Sequence, residues 1–250
     1  MDTVKAILLG LVQGLTEFLP VSSSGHLILL EKLGVATPSL FFNVMLHLGT
    51  LLSVFFVFYR KIFELIRHPV KSNLRYVILA SIPTVIIAFL FKAYGGNLLL
   101  GDYLPLFFMI TAFLLITSSI FAKNKNKPLS FKNATLTGVM QGIAVLPGIS
   151  RSGATIAAMT MMGIGKEEAC DFSFLLSIPI ILGSALVECY PFKGIAVDYG
   201  AIPLVAGMIA SFFGGIISLG LIYKLIKKGS FLCFGIYTAI LSLVLLFFYL

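Results

Sequence analysis

The chain of 250 residues is 59% hydrophobic and only 11% charged, with a mean hydropathy of +1.06. This apolar share excludes an ordinary water-soluble domain, because too few polar residues remain to cover a globule of this size. The net charge of +8 is carried by short clusters between apolar stretches, a pattern typical of membrane orientation and not of a nucleic-acid surface. The composition therefore predicts one membrane domain, residues 1–250.

The first 34 residues are predicted to form two short helices with a break near residues 20–25. A cleaved signal peptide is not expected, because Gln13, Glu17 and Pro20 interrupt the apolar stretch. Gln13 and Glu17 are four residues apart and therefore share one face of the first helix. Hydroxyls, a glycine and an imidazole follow the break, at Ser22, Ser23, Ser24, Gly25 and His26.

Glu17 is flanked by apolar residues, and a carboxylate at membrane depth costs about 2.5–3.5 kcal/mol on insertion scales. One interpretation is that Glu17 ends a helix and reaches water. The other, which the neighbouring hydroxyls and imidazole favour, is a functional site. In that site Glu17, Ser23 and His26 handle protons and attack a substrate.

Six stretches are long enough to cross a bilayer core of about 30 Å, which needs roughly 20 apolar residues per helix. They are residues 41–59, 76–91, 104–122, 170–190, 200–223 and 231–250. Thirteen of the 18 basic residues lie in four connections, which the positive-inside rule therefore places in the cytoplasm. Those connections are residues 60–75, 123–132, the neighbourhood of residue 166, and 224–228. Lys193 is the single basic residue of loops 94–103 and 191–199, so these two loops are predicted to lie outside.

A few polar or reactive residues lie within the predicted spans. His47 either lines a polar cavity or binds a backbone carbonyl, and the sequence does not separate the two. Cys170, Cys189 and Cys233 are widely spaced and form no Cys/His cluster, so they are predicted to be buried packing residues.

Residues 133–164 are flanked by basic loops at both ends, so this segment is predicted to enter and leave the membrane at the cytoplasmic face as a re-entrant hairpin. Residues 1–34 are predicted to form a second hairpin from the outside, with both chain termini outside. Broken helices at membrane depth are tolerated where protein or a watery cavity satisfies their backbone.

Arg151 is the single basic residue of the second hairpin. Ser150 and Ser152 flank it at the predicted start of a helix from Gly153. A guanidinium at a helix N-terminus suits a phosphate oxyanion. The alternative is a structural arginine that caps helix carbonyls.

The chain repeats itself at a shift of 128 residues. The shift pairs Gln13 with Gln141, Gly14 with Gly142, Ser22 with Ser150, Ser24 with Ser152 and Gly25 with Gly153. Each half, about 1–122 and about 133–250, then has one hairpin and three spans, and an odd number of spans inverts the second half. The predicted fold is all-α and polytopic, with six transmembrane helices and two re-entrant hairpins in an inverted repeat, a design typical of anion-handling membrane sites.

At these hairpins the sequence resembles the undecaprenyl-pyrophosphate phosphatase family, also called the bacitracin-resistance protein family. Its first motif corresponds to Gln13 through Glu17, continuing into LPVSSSGH. Its second motif, PGxSRSxxT, corresponds to Pro147, Gly148, Ser150, Arg151, Ser152 and Thr155. The resemblance extends over nearly the whole chain.

The resemblance implies an enzyme of the bacterial inner membrane that dephosphorylates undecaprenyl pyrophosphate at the outer face. The family's functional residues correspond to Glu17, Ser23, His26 and Arg151. Substrate contacts are predicted for Gln13, Ser22, Ser24, Gly25, Gly148, Ser150, Ser152 and Thr155. The family also requires a divalent cation, Mg²⁺ or Ca²⁺. Gln13 stands where other members carry Glu, so Glu17, pyrophosphate oxygens and water are expected to hold the metal.

Two questions stay open at the level of sequence. The nucleophile is Ser23, His26 or a water, and a hydroxyl beside a base favours Ser23 with His26 and Glu17 as base and orienter. The broken helices and inverted repeat also suit a polyprenyl-phosphate flippase or anion transporter that uses Arg151 for binding alone. The sequence gives no indication of a protein partner.

Overall fold

The computed structural model describes residues 2–69, 72–122, 126–189, 200–227 and 231–249, and these residues are helical without strands. The helices are α1 Thr3–Phe18, α2 Ser23–Lys32, α3 Leu40–Arg67, α4 Leu74–Tyr94, α5 Leu104–Phe121, α6 Phe131–Ile143, α7 Arg151–Met161, α8 Lys166–Cys189, α9 Ala201–Lys227 and α10 Leu232–Tyr249. The predicted all-α class is confirmed. The predicted outer loop at 191–199 lies outside the described residues.

Five of these helices, α3, α4, α5, α8 and α9, are long and apolar enough to cross a bilayer. The sixth predicted span corresponds to α10, which is apolar over Leu232–Phe248 but shorter. Many large apolar side chains on these helices face outward, including Phe113 and Ile217, which suits contact with lipid tails. The protein is a multi-pass membrane protein.

Both predicted breaks are present, between α1 and α2 and between α6 and α7. Helix α2 begins at Ser23, within the segment 20–25 where the break was predicted, because the Gly25 N–H donates to Ser22 Oγ at 3.3 Å. Helix α7 begins at Arg151, ahead of the expected Gly153, because the Gly153 N–H donates to Ser150 Oγ at 3.1 Å. His26 and Arg151 therefore lie in the first turns of their helices.

Glycines let the first helix of each hairpin lie directly on a long helix. A Cβ on Gly10 of α1 would stand 2.2 Å from the carbonyl oxygen of Gly207 in α9. A Cβ on Gly138 of α6 would stand 2.1 Å from the carbonyl oxygen of Ala80 in α4. Gly10 and Gly138 are separated by the same 128 residues as the pairs found in the sequence. The two hairpins therefore pack on their long helices in matching ways.

The cysteine prediction is confirmed at one position and wrong at another. Cys170 in α8 is fully buried, as expected. Cys233 is exposed, because it lies in the first turn of α10 on the outside of the bundle. The side chain of Cys189 lies outside the described residues.

A polar cavity of about 940 Å³ opens between the C-terminal end of α3 and the N-terminal end of α8. Asp171 of α8 accepts hydrogen bonds there from Lys61 of α3 and from the Tyr223 hydroxyl of α9. The cavity lies at the end of the bundle where the basic loops predict the cytoplasm.

Candidate functional site

The two helix breaks meet at a cavity of about 170 Å³. Its lining is Glu17, Ser22, Ser23, Ser24, His47, Gln141, Ala144, Val145, Ile149, Ser150, Arg151, Ile180, Ile181 and Ser184. Both hairpins contribute, together with one face each of α3 and α8. The structure thus brings Glu17, Ser23 and Arg151 together, as the sequence predicted.

The tips of the hairpins are joined by hydrogen bonds between serine side chains and backbone groups, and by a close approach of two glycines. The Gly148 N–H donates to Ser22 Oγ at 3.1 Å, and Ser152 Oγ donates to the carbonyl of Leu19 at 3.2 Å. A Cβ on Gly25 would stand 3.1 Å from the Gly148 Cα, and Gly148 has a φ of +102°, which disfavours other residues. These residues hold the two breaks against each other and do not line the cavity, apart from Ser22.

The predicted site residue Thr155 is also outside the cavity lining. Its hydroxyl donates to the Arg151 carbonyl at 2.8 Å and lies 2.6 Å from the Ser173 hydroxyl of α8. Thr155 therefore fixes α7 against α8, one turn after the arginine.

Glu17 is the centre of the polar cluster. Its side chain is 1% exposed. Arg151 Nη2 donates to Oε1, while Ser23 Oγ donates to Oε2 at 2.6 Å and Gln13 Nε2 donates to Oε2 at 2.7 Å. Burial of a carboxylate is tolerated when it is paired and hydrogen-bonded in this way. The three donors fix the carboxylate between a hydroxyl and a guanidinium.

The electrostatics of the cavity favour an anion beside this carboxylate. Arg151 uses one nitrogen for Glu17, and a guanidinium has five N–H donors in a planar fork. The first turns of α2 and α7 both border the cavity, at Ser23 and Arg151. Helix N-termini carry a partial positive charge and unpaired N–H groups, so the arrangement suits phosphate oxygens.

His26 lies outside the cavity lining, unlike its predicted partners. Its Nδ1 donates to the Ser22 carbonyl at 2.7 Å, so Nε2 accepts from the Tyr237 hydroxyl, also at 2.7 Å. The imidazole stacks on the Tyr237 ring with centroids 5.8 Å apart. Both nitrogens are thus engaged away from Glu17 and Ser23. The expected arrangement, in which Glu17 orients His26 toward Ser23, is replaced by a direct hydrogen bond from Ser23 to Glu17.

Three residues near the site were absent from the predicted set. His47 lines the cavity, as the first of the two interpretations of its sequence position predicted. Gln141 also lines the cavity. Gln141 is the repeat partner of Gln13, and that pairing was a usable signal. Tyr237 comes from α10, and no sequence pattern connects it to His26.

The described residues contain no group of three or more His, Cys, Asp or Glu side chains that would hold a metal alone. The residues nevertheless fit a divalent cation that is held mainly by phosphate oxygens of a bound substrate and by few protein ligands. A carboxylate has about four positions that can accept a hydrogen bond. Ser23 and Gln13 fill two on Glu17 Oε2 and Arg151 fills one on Oε1, so one acceptor position on Oε1 is free for a cation. Gln141 Oε1 is buried without a hydrogen-bond partner, and its residue lines the cavity. Carboxylate and amide oxygens are suitable Mg²⁺ or Ca²⁺ ligands.

Comparison with known proteins identifies the family. The family described as Bacitracin resistance protein BacA matches residues 6–244. The chain belongs to this family. It is 40% identical over 276 residues to an undecaprenyl-diphosphatase of Alkaliphilus metalliredigens, covering 99% of each chain. It is 37% identical over 274 residues to an undecaprenyl-diphosphatase of Methanosphaera stadtmanae, covering 98% of this chain and 97% of the relative. This membership confirms the family that the two hairpin motifs predicted.

Proposed function

We propose that the protein hydrolyses undecaprenyl pyrophosphate to undecaprenyl phosphate and inorganic phosphate, and so recycles the lipid carrier of cell-wall synthesis. The observation that carries this function is the buried Glu17 carboxylate, bonded to both the Ser23 hydroxyl and Arg151 where two helix N-termini border one cavity. Family membership and the name undecaprenyl-diphosphatase of its relatives support the same reaction. Bacitracin resistance follows from the family name.

In the first step Ser23 Oγ attacks the terminal phosphorus and its proton passes to Glu17 Oε2, which lies 2.6 Å away. The bond between phosphorus and the bridging oxygen breaks, and Glu17 passes the serine proton to the departing phosphate. Undecaprenyl phosphate leaves with that proton, and Glu17 is again an ionised carboxylate. Arg151 and the helix N-termini stabilise the negative charge on the transferred phosphoryl group.

In the second step water attacks the phosphoserine and gives a proton to Glu17. Glu17 returns that proton to Ser23 Oγ as the phosphorus–serine bond breaks, which releases inorganic phosphate. The contact between Ser23 and Glu17 supports this assignment over attack by His26, whose nitrogens bind Ser22 and Tyr237.

The proposed cofactor is Mg²⁺ or Ca²⁺, which Glu17 Oε1, the substrate pyrophosphate and water would hold. Gln141, a residue of the cavity lining, has a buried Oε1 without a hydrogen-bond partner. When bound, the cation neutralises charge on the phosphate oxygens. Gln13 donates to Glu17 and adds no second carboxylate, which supports a metal held mainly by substrate oxygens.

An apolar groove of about 400 Å³ continues from the cavity between α4 and α8 and shares three lining residues with it, Val145, Ile180 and Ser184. The site cavity between the two helix breaks, at about 170 Å³, is smaller than the roughly 300–1,000 Å³ of most small-molecule sites. We place the pyrophosphate in the cavity and the first isoprene units in the groove, with the rest of the chain in the bilayer.

Filling the groove is expected to weaken binding of the prenyl chain. A Cβ on Gly183, which lines the groove, meets no atom within 4 Å, so the side chain of Gly183→Leu starts in open space and adds volume at the groove wall. We expect KM for undecaprenyl pyrophosphate to rise about 3- to 10-fold with little change in kcat. This is the effect of losing a contact that stabilises the bound substrate and the transition state equally. Isopentenyl pyrophosphate, with one isoprene unit, should be affected less.

Gly220→Leu is the matched control for the groove, because Gly220 in α9 is equally open and lies outside the groove lining. Its KM should equal that of the wild type. Equal effects of the two variants, or no effect of Gly183→Leu, would contradict the placement of the chain.

The proposed topology has six transmembrane helices, with α10 as the sixth, and two re-entrant hairpins in an inverted repeat with both termini outside. The matching glycine contacts of α1 on α9 and α6 on α4 support the repeat. The cavity lies near the predicted outer ends of α3 and α8, at His47 and Ser184, so it opens to the outer side of the bacterial inner membrane. An impermeant thiol reagent should label single cysteines at residues 2 and 97 in intact cells; protection of both contradicts this topology.

A second candidate is movement of the lipid phosphate across the bilayer, which the polar cavity of about 940 Å³ at the opposite end of the bundle favours. Phosphate release from undecaprenyl pyrophosphate in detergent separates the two functions. We expect release that stops when a chelator removes divalent cations and resumes when Mg²⁺ is restored. Lipid movement in vesicles without phosphate release would support the carrier and overturn the hydrolase.

A further inference from the structure

His47 approaches the catalytic carboxylate from α3, a helix that contributes no other residue to the cavity lining. Its Nδ1 lies 2.8 Å from Gln13 Nε2 and 3.5 Å from Glu17 Oε2. Gln13 Nε2 is in turn 2.7 Å from Glu17 Oε2. One amide nitrogen therefore stands between the histidine and the carboxylate and has an N–H for each.

This geometry fixes the protonation pattern of the three groups. Glu17 Oε2 is an acceptor, so the Gln13 amide must present its nitrogen and not its oxygen. The second N–H of that nitrogen then donates to His47 Nδ1, which must carry no proton. The neutral imidazole therefore holds its proton on Nε2.

Nothing else among the described residues fixes the Gln13 amide. Gln13 is 0% exposed, and its Oε1 is buried without a hydrogen-bond partner. The amide is held in this orientation by the two acceptors on its nitrogen side, Glu17 and His47.

We propose that His47 is a positioning residue that acts through Gln13: it accepts one amide N–H so that the other is aimed at Glu17 and holds the carboxylate toward Ser23. The inference rests on the proposed roles of Glu17 and Ser23. Without the acceptor at residue 47, Glu17 alone holds the amide, and the N–H that Gln13 donates to the carboxylate is less well aimed. The carboxylate is then less well aligned to receive the serine proton.

Replacement of His47 tests this role with a matched pair of variants. His47→Asn keeps an acceptor oxygen near the position of Nδ1, whereas His47→Leu removes it. We expect His47→Leu to lower kcat about 10- to 100-fold, the size of effect seen when a metal ligand loses its outer hydrogen-bond partner. KM should change less than about threefold, and His47→Asn should retain kcat within about threefold of the wild type.

A double-mutant cycle with Gln13→Met separates action through Gln13 from direct action on the substrate. In the Gln13→Met background, His47→Leu should have no further effect on kcat. Additive losses, equal losses in His47→Leu and His47→Asn, or unchanged kcat in His47→Leu would each overturn the proposal.

The tautomer of His47 provides a readout independent of activity. Nitrogen-15 NMR of histidine-labelled protein should show the His47 proton on Nε2 in the wild type and a mixture of tautomers in Gln13→Met. A proton on Nδ1 in the wild type would overturn the inference even if phosphate release is normal. Absence of phosphate release from the wild type would instead count against the proposed function.

Discussion

Arg151→Ala is expected to lower kcat/KM for phosphate release by at least about 10³-fold. The guanidinium is the cationic side chain of the cavity lining, and loss of comparable donors to a developing oxyanion or phosphoryl group costs about 10²–10⁵ in rate. The measurement is phosphate release from undecaprenyl pyrophosphate in detergent. Arg67→Ala, at an exposed position at the end of α3, is the matched control and should have wild-type activity.

Removal of Arg151 also leaves Glu17 buried without its charged partner, since that carboxylate is 1% exposed. Such a loss destabilises proteins by about 3–5 kcal/mol. Arg151→Lys separates folding from chemistry, because it keeps the charge beside Glu17 but loses the planar fork. We expect Arg151→Lys to fold, as judged by thermal unfolding in detergent, and to lose about 10- to 100-fold in kcat/KM. Activity of either variant near the wild-type level would exclude Arg151 from phosphate binding.

Ser23→Ala is expected to abolish measurable phosphate release, a loss of at least about 10³-fold in kcat, as removal of other catalytic nucleophiles does. Among the hydroxyls of the cavity lining, that of Ser23 donates to Glu17, at 2.6 Å. Acid quenching of the wild type with substrate labelled in its terminal phosphate should give labelled phosphoserine at residue 23.

Ser24→Ala is the neighbouring control, because the Ser24 hydroxyl also lines the cavity but contacts Ser22 Oγ, at 3.4 Å, and not Glu17. We expect a loss of no more than about tenfold, the effect of one lost substrate hydrogen bond. An acid-labile phosphohistidine at His26 would reverse the assignment of the nucleophile. Absence of any labelled protein, together with residual activity in Ser23→Ala, would favour direct attack by water.

The hairpin breaks were predictable because their signals are local. Pro20 and the serine-glycine segments prevent a continuous helix at each break, and the 128-residue repeat showed that the two breaks are related. The exact starts of α2 and α7 were not predicted. Ser22 and Ser150 act as N-caps, and each begins its helix earlier than the apolar pattern alone suggested.

The membrane spans were predictable for five of the six predicted helices, since each requires only a long apolar run. The direction in which each side chain points around its helix axis was harder to predict from the sequence. Cys233 looked like a packing residue but is exposed, because an apolar helix at the edge of a bundle carries similar residues toward lipid and toward protein.

By itself the sequence determined that the chain is a membrane protein, which family it joins, and that a carboxylate, a hydroxyl and a guanidinium belong to two related hairpins. Only the tertiary structure decided their partners. His26 bonds to Tyr237, which is 211 residues away in the chain. Gln13 contacts both Glu17 and His47, and His47 lies 34 residues after Gln13. Composition and local spacing determine where a helix starts and how polar it is. The direction of a side chain depends on which distant helix packs against it, and that is settled when the whole bundle assembles.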